Sequence, residues 1–518
     1  MKKKKLLLAG AFAALYLLLI GLLCLAERAD PEASIRTFPL ALWFSLTTLT
    51  TVGYGDLYPV TTLGHVIGAV FQLLSLGVLA MLIGAIAAVL RSKLFPLLKL
   101  RLAGKKDWYV FPQQTEAALS LAAALHAEKP DGVVVFCGGE GEKPPFAVRI
   151  QLSPAELAKI KKGKLSVFCM AERDAENERL AHALEPLDCE IYCMTEYEPD
   201  RLPVRQHRFD PYDCCARLYW RRFPLASPNE RILLIGGGRY AEAILEQALQ
   251  RNVLSDDQAV TYEVFGDFSA FRLNHPYLSQ LFSLDAEDAG RDSLLFREGS
   301  WKAYPDSLQR ADRIIFCCET EEQTIEALAE LKRYFPVSAA LHAKLSGAFD
   351  GVSGFGSMEE IFTPELVMRD RLNRAAMQLN EIYRATAGGS APTWGELSSF
   401  TRRSNIASAE HLGVKARILL GDGETDELTP ARAARAYAKY RAADEAELTR
   451  YLRIEHERWM RFHVLNNWRY APQRDNSRRL HPMLVPFDSL SPQDQRKDAY
   501  GWELLDLAKA ELAAPAAQ

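Results

Sequence analysis

The sequence predicts three kinds of structure in succession: a helical membrane segment with two spans and a short helix between them, then two doubly wound α/β modules, then a mainly helical C-terminal domain. Three observations predict this. Leu6 to Ala26 and Leu63 to Leu90 contain no Asp, Glu, Lys or Arg. From Trp108 to Leu345, short apolar runs alternate with runs of helical period, the pattern of a parallel sheet. From Trp394 the chain turns to helix-forming sequence rich in Arg, His and Trp. A length of 518 residues suits several domains. The boundaries read as 1–91, 92–107, 108–226, 227–364, 365–392 and 393–512.

A formal net charge of -4 gives no reason to expect nucleic acid as a partner. The nine cysteines lie mostly in apolar, strand-like runs and fit neither a zinc spacing nor a secreted disulfide framework, so they read as free thiols in a reducing compartment.

The first span, Leu6 to Ala26, is long enough as a helix to cross the hydrocarbon and too long for the apolar core of a signal peptide. Lys2 to Lys5 precede it, and Arg91, Lys93, Lys99, Arg101, Lys105 and Lys106 follow the second span. Both termini are therefore expected in the cytoplasm of a bacterial inner-membrane protein. Arg91 to Lys106 alternates basic and apolar residues around Pro96, which suits a layer of anionic lipid headgroups. Between the spans, Pro39 to Thr50 is apolar but too short to cross, and the negative end of its dipole favours a cation beyond it.

That short helix leads into Thr51-Val52-Gly53-Tyr54-Gly55. Gly53 and Gly55 accept positive φ without steric cost, so successive carbonyls can face one way while Val52 and Tyr54 turn outward. The block ALWFSLTTLTTVGYGDLYPVT resembles the small two-helix bacterial potassium channels, and its pentapeptide resembles their selectivity filter. The resemblance implies a homotetramer and K+ held at Thr51, Val52, Gly53 and Tyr54. It also implies filter support from Trp43, Thr47 and Asp56. Thr47 stands where the nearest of those channels carry a carboxylic acid, which leaves Trp43 as the donor to Asp56. In the inner helix, Ser75 occupies the usual place of the hinge glycine, and Gly77 and Gly84 lie below it, serving either gating or close helix packing.

The first α/β module carries strand-like runs at Trp108 to Phe111, Gly132 to Cys137, Leu165 to Ala171 and Cys189 to Met194. Its first strand runs into Pro112-Gln113-Gln114 and not a glycine turn, so no dinucleotide is expected there. The second opens with ERILLIGGGRYAEAILEQAL, which places Gly236, Gly238 and Ala241 between a strand and a helix, with Asp267 at the end of the next strand. Such glycines let a phosphate approach the helix N-terminus, and the acid can read a ribose; the alternative is tight strand-to-helix packing. Strands at Ala311 to Cys318 and Ser338 to Leu345 complete the sheet. The order of pore and Rossmann module resembles potassium channels gated by cytosolic regulator-of-conductance domains, which implies a ring of eight modules in a tetramer.

Glu365 to Tyr383 reads as a bridging helix and Ala387 to Pro392 as a linker. Beyond them, Glu457-Arg458-Trp459, Trp468-Arg469-Tyr470, Asp475, His481-Pro482, Pro486-Phe487, Leu490 and Asp498 resemble the repeat domain of ryanodine receptors, which implies a sensor. Leu448, Leu452, Glu455, Trp459 and Phe462 share one helix face, so Glu455 needs a partner, with Arg458 the nearest. Arg402, Arg403, Asn405, His411 and Lys415 could add an electropositive wall. A nucleotide or cyclic-nucleotide effector would use these arginines and lysine together with Glu455, Arg458, Trp459, Trp468, Arg469, Tyr470 and His481. The competing reading makes the aromatics core and the arginines bridges between helices. No catalytic constellation is visible, and the expectation is a ligand-gated potassium-selective channel. The alternatives are a membrane-anchored dinucleotide-binding redox enzyme, or a channel whose C-terminal domain is an interaction scaffold.

Overall fold

The computed structural model describes residues 2–90, 94–102, 104–139, 141, 144–161, 163–288, 290–386, 391–421 and 426–511. Arg91 and Lys93, and residues 387–390 of the expected linker, lie outside the described residues. The chain divides into two compact units, residues 1–103 with 149–151, and the remainder.

The first unit contains helices α1 (Lys2–Glu27), α2 (Phe38–Leu49), α3 (Thr62–Val89) and α4 (Phe95–Leu102). By length and composition α3 can cross a membrane, while Ala14–Glu27 and α2 are shorter apolar helices. Pro39 sits in the first turn of α2, where its missing N–H would have had no partner in any case. Ile20, Leu23, Ile35, Ala41, Phe44 and Phe71 form the core shared by α1, α2 and α3. Tyr16 of α1 tilts onto Phe71 with ring centroids 4.9 Å apart.

The second unit begins with β1 (Trp108–Phe111), α5 (Glu116–Glu128), β2 (Val133–Phe136), β3 (Val148–Arg149), α6 (Pro154–Ile160), β4 (Leu165–Cys169), α7 (Asp174–Leu184), β5 (Glu190–Met194), β6 (Gln206–Phe209) and α8 (Pro211–Arg222). The sheet order is β3-β2-β1-β4-β5-β6. Then follow β7 (Arg231–Gly236), α9 (Gly238–Arg251), β8 (Thr261–Phe265), α10 (Ser269–Asn274), β9 (Ser293–Arg297), α11 (Pro305–Arg310), β10 (Arg313–Cys317), α12 (Glu321–Tyr334), β11 (Ala340–Lys344) and β12 (Ser353–Phe355). This second sheet is parallel throughout, in the order β12-β11-β10-β7-β8-β9. Each sheet therefore has the doubly wound order, with its crevice where the order reverses, between β1 and β4 and between β7 and β10. Strands β3, β6, β9 and β12 add to those expected. They are short or carry polar residues, as in QHRF of β6, and so lack the apolar run that marks a buried strand.

The C-terminal part comprises α13 (Met358–Ile361), α14 (Pro364–Val367), α15 (Arg374–Thr386), α16 (Ser399–Leu420), α17 (Pro430–Arg441), α18 (Glu445–Leu465), the paired β13 (Arg469–Tyr470) and β14 (Leu480–His481), α19 (Pro492–Gln495) and α20 (Ala499–Glu511). The expected bridging helix is corrected: the chain turns between α14 and α15, with Asp370 at φ 47°. The amides of Arg369 and Arg371 donate to the carbonyls of Pro364 and Glu365 in that turn. Leu412, Ala416, Ala433, Tyr440, Ile454 and Trp502 fill the core between α16, α17, α18 and α20. The Trp502 indole donates to the Tyr451 carbonyl at 2.7 Å.

Candidate ion path and ligand sites

The segment after α2 has an alternating backbone. Thr51, Gly53 and Gly55 take φ of 61°, 50° and 74°, while Val52 and Tyr54 between them do not. That alternation turns successive peptide planes over, so their carbonyls can share one face. The amides of Val52 and Gly53 donate to the Thr47 carbonyl at 3.0 and 3.1 Å, and the Thr51 amide to the Thr48 carbonyl at 3.1 Å. The last turn of α2 thus holds the N–H groups of Thr51, Val52 and Gly53, while among the described residues no hydrogen bond reaches the carbonyls of Thr51 to Tyr54. Thr47 braces the segment through its backbone oxygen, since its hydroxyl donates to the Phe44 carbonyl. Trp43 stacks on Tyr54 with ring centroids 6.2 Å apart, and among the described residues no hydrogen bond joins it to Asp56. A Cβ placed at Gly77 or Gly84 would meet nothing within 4 Å, so no contact in one chain requires either glycine.

One supporting residue escaped the sequence reading. Glu27, at the end of α1, is fully buried, and its carboxylate accepts from the Val60 and Thr61 amides at 2.9 and 3.0 Å and from the Thr61 hydroxyl at 2.7 Å. It therefore sits at the positive end of α3 and fixes the chain between Gly55 and that helix. The signal was a lone acid closing an apolar span.

In the second sheet, Gly236 takes φ 149° and a Cβ there would lie 1.9 Å from the Cys317 carbonyl oxygen. Gly266 takes φ 128°, and its Cβ would lie 1.6 Å from the carbonyl oxygen of Gly236. Both glycines are thus demanded by strand ends crossing in contact. Gly238 differs: at φ 75° its nearest neighbour is the Glu319 side chain, 3.5 Å away. Helix α9 starts there without a side-chain cap, and Ala241 is buried beneath it. Asp267 accepts from the Ser269 amide at 3.0 Å, and that bonding lowers its pKa. Arg239, one residue into α9, pairs with Glu196 of the first module.

The first module's crevice is built otherwise. Thr115 caps α5, accepting from the Ala118 amide at 3.1 Å and donating to the Met170 carbonyl at 2.9 Å. The Gln114 side chain lies against Gly139, where a Cβ would meet it at 2.6 Å.

The residues expected to form one C-terminal pocket are separated, which corrects that expectation. Arg402 is fully buried and binds Glu198 and the carbonyls of Leu397 and Pro199. Lys415 meets Glu455 at 2.7 Å and donates to the Gly501 carbonyl. Arg458 donates to Glu455 at 2.6 Å, as its position one turn on suggested. Burial raises the Glu455 pKa, but Arg458 and Lys415 outweigh it and hold it at about 2. His411 contacts the Val253 carbonyl at 3.0 Å. Trp459, His463, Trp468 and His481 form an aromatic cluster, with 4.1 Å between the Trp459 and His463 centroids and 5.3 Å between His463 and Trp468. Burial lowers His463 to about 3 and His481 to about 4, so both imidazoles are neutral near pH 7. Arg469 lies over the Tyr277 ring, and Tyr470 and His481 line an open groove with Arg474 and Lys497. Asn405 is half-buried. Arg403 faces a separate cleft of 830 Å³ that runs past Trp394 and Glu246. The physical reason is that the C-terminal half of α18 is buried on every side, so its charges must be neutralised within the fold.

Comparisons with known proteins bear on both ends of the chain. Residues 6–92 match the ion-channel family model, and residues 445–513 match the RyR domain model. A voltage-gated potassium channel of Aeropyrum pernix is 40% identical over 80 residues, which is 15% of this chain and 24% of that one. The calcium-gated potassium channel TvoK of Thermoplasma volcanium is 38% identical over 66 residues, 13% of this chain and 19% of its own. The chain thus spans less than a quarter of the length of these curated relatives. The structure of the GsuK channel bound to ADP is 15% identical, covers 71% of this chain and 100% of its own, and has a TM-score of 0.33.

Proposed function

We propose that the chain is the subunit of a homotetrameric potassium-selective channel of the bacterial inner membrane, with both termini in the cytoplasm and the α/β modules and helical domain controlling the pore. The observation that carries this is the alternation of φ at Thr51, Gly53 and Gly55, with the amides of Val52 and Gly53 tied back to Thr47. Four such strands would offer rings of carbonyl oxygens at Thr51, Val52, Gly53 and Tyr54, replacing the hydration shell of K+. Val52, Tyr54 and Trp43 are about half exposed or more in a single chain, and neighbouring copies would cover them. Outside the filter, the apolar residues left exposed on α3 would face lipid or the other copies.

The effector proposed for the second module is a nucleotide at the β7–α9 turn. Its phosphate would meet the uncapped start of α9 at Gly238, above Ala241, and Asp267 would take the ribose. Gly236 would keep the turn narrow. A ligand favouring one conformation would shift the pore equilibrium by its difference in affinity.

Flux through liposomes holding the purified chain tests the pore. Potassium should pass far better than sodium, and Gly53→Asp should abolish the flux; equal sodium flux would remove the assignment. For the effector, a nucleotide panel in thermal shift should stabilise the wild type and not Asp267→Ala.

A further inference from the structure

A second cleft, of 620 Å³, opens between α8, the turn after β12, α15, α16 and α20. Five arginines line it, and they are not equally satisfied. Arg221 pairs with Glu410 and Arg222 with Glu360. Arg374 reaches a carboxylate only at 3.6 Å, that of Glu365, which lies outside the cleft. Among the described residues, the Arg371 side chain has no ion pair or hydrogen bond.

Arg251 is the decisive residue. Its side chain is 2% exposed and its Nη2 meets Asp426 at 2.8 Å, but among the described residues Nε and Nη1 have no acceptor. A buried N–H without a partner keeps its full desolvation penalty, which an incoming acceptor would relieve. On the same lining, Gln378 Oε1 is buried with no donor among the described residues. The carboxylates on the lining include Glu360, Glu410 and Asp426, each already paired with an arginine, and Glu427; Leu379, Leu428 and Leu507 supply an aliphatic side. The aromatics present, Tyr219 and Phe355, are almost completely buried and offer no ring face on which a base could stack.

We infer that this cleft binds a monoalkyl phosphate, its phosphate oxygens received by Arg251, Arg371 and Arg374, and its chain laid along the leucines. A phosphate monoester brings close to two negative charges and three terminal oxygens to three guanidinium groups, where a carboxylate brings one charge and two oxygens. The aliphatic lining selects for a chain and against a purine. The site is independent of the pore and of the β7–α9 turn, and binding is read without flux, so its failure would leave the channel reading untouched.

The test is calorimetry of the full chain in lipid nanodiscs with hexyl phosphate, inorganic phosphate, hexanoate and AMP. Hexyl phosphate should bind at least tenfold tighter than each of the other three. Arg251→Gln leaves Asp426 with Arg417 as its remaining arginine partner and can cost stability by itself, so the deciding variant is Arg371→Gln with Arg374→Gln, both at the cleft's outer side. It should weaken hexyl phosphate at least tenfold with an unchanged melting temperature. The inference is overturned if hexyl phosphate fails to bind at millimolar concentration, if inorganic phosphate, hexanoate or AMP binds as tightly, or if the double variant binds as the wild type does.

Discussion

Three glycines of the β7–α9 region divide by what surrounds them. At Gly236 and Gly266 a methyl group would strike backbone oxygen at 1.9 and 1.6 Å, atoms that cannot swing aside. Alanine at either should destabilise the second sheet by about 1–3 kcal/mol or more, read as a lower midpoint in urea. Gly238→Ala meets only a flexible glutamate at 3.5 Å and should cost about 1 kcal/mol, the strain of a left-handed residue. If Gly236→Ala proves as mild as Gly238→Ala, the packing account fails. The sequence singled out Gly236 and Gly238 together but could not divide them, and it did not single out Gly266, because their separate duties depend on β10 and the end of β8 lying against β7. Glu455 was more legible. Its place on an apolar stripe demanded a partner, and Arg458 fills that role; Lys415 came from a helix forty residues earlier and carried no local signal. Glu455→Gln leaves Lys415 and Arg458 buried without countercharge, and should cost about 3–5 kcal/mol by denaturant unfolding.

Between elements, the strongest tie is a carboxylate from α16 clamped by two arginines of α8. Glu410 is almost wholly buried, accepting from Arg217 at 2.6 and 2.8 Å and from Arg221 at 2.6 and 2.9 Å. Arg217 also donates to the Leu372 carbonyl at 2.6 Å and to Asn373 at 2.8 Å, so the turn before α15 is held in the same network. Burial pushes the Glu410 pKa up, but Arg221 and Arg217 prevail and hold it below the usual carboxylate range. An acid depressed in the folded state contributes stability that is full above about 4.5, the unfolded value, and is lost as pH falls below it. Acid titration of the wild type should therefore lower the melting temperature below pH 4.5. Glu410→Gln should start lower and show a flatter slope there; an unchanged slope would place the acid sensitivity elsewhere. Legibility at this scale followed apolar content. Strands β1, β4 and β5 declared themselves as largely apolar runs, whereas β6, QHRF, has polar residues at three of its four positions and needed the sheet to define it. The turn between α14 and α15 was concealed by helix-forming residues, and Asp370 breaks it by adopting a left-handed φ.

Taken whole, the part of the chain after residue 103 does not separate where the composition changes. A shift to Arg, His and Trp near residue 393 suggests a detachable domain, yet both Rossmann sheets and the helical region fall within one compact unit. Leu249, Leu278 and Phe282 of the second module share a continuous core with Val464, Leu465 and Trp468. Charges cross the same boundary: Arg461 reaches Asp292 at 2.9 Å, Arg251 reaches Asp426, and Arg417 donates to the Leu225 carbonyl at 2.6 Å. Local composition records the surface and helix content of a segment, and says little about which apolar face its neighbour covers. Ending the chain at residue 392 would uncover that shared core, and uncovered apolar surface of this kind drives aggregation. The truncated chain should lose soluble modules on extraction, elute as aggregate, and exchange amide hydrogens of β7, β8 and β9 far faster than the full chain. The complementary fragment, 393–518, exposes the matching face of α18 and should fold poorly alone. A truncated chain that elutes as a single oligomer with the full chain's exchange protection would mean that the helical region is an appendage. In that case it could sense a ligand only through the linker, and not by way of the sheets it packs against.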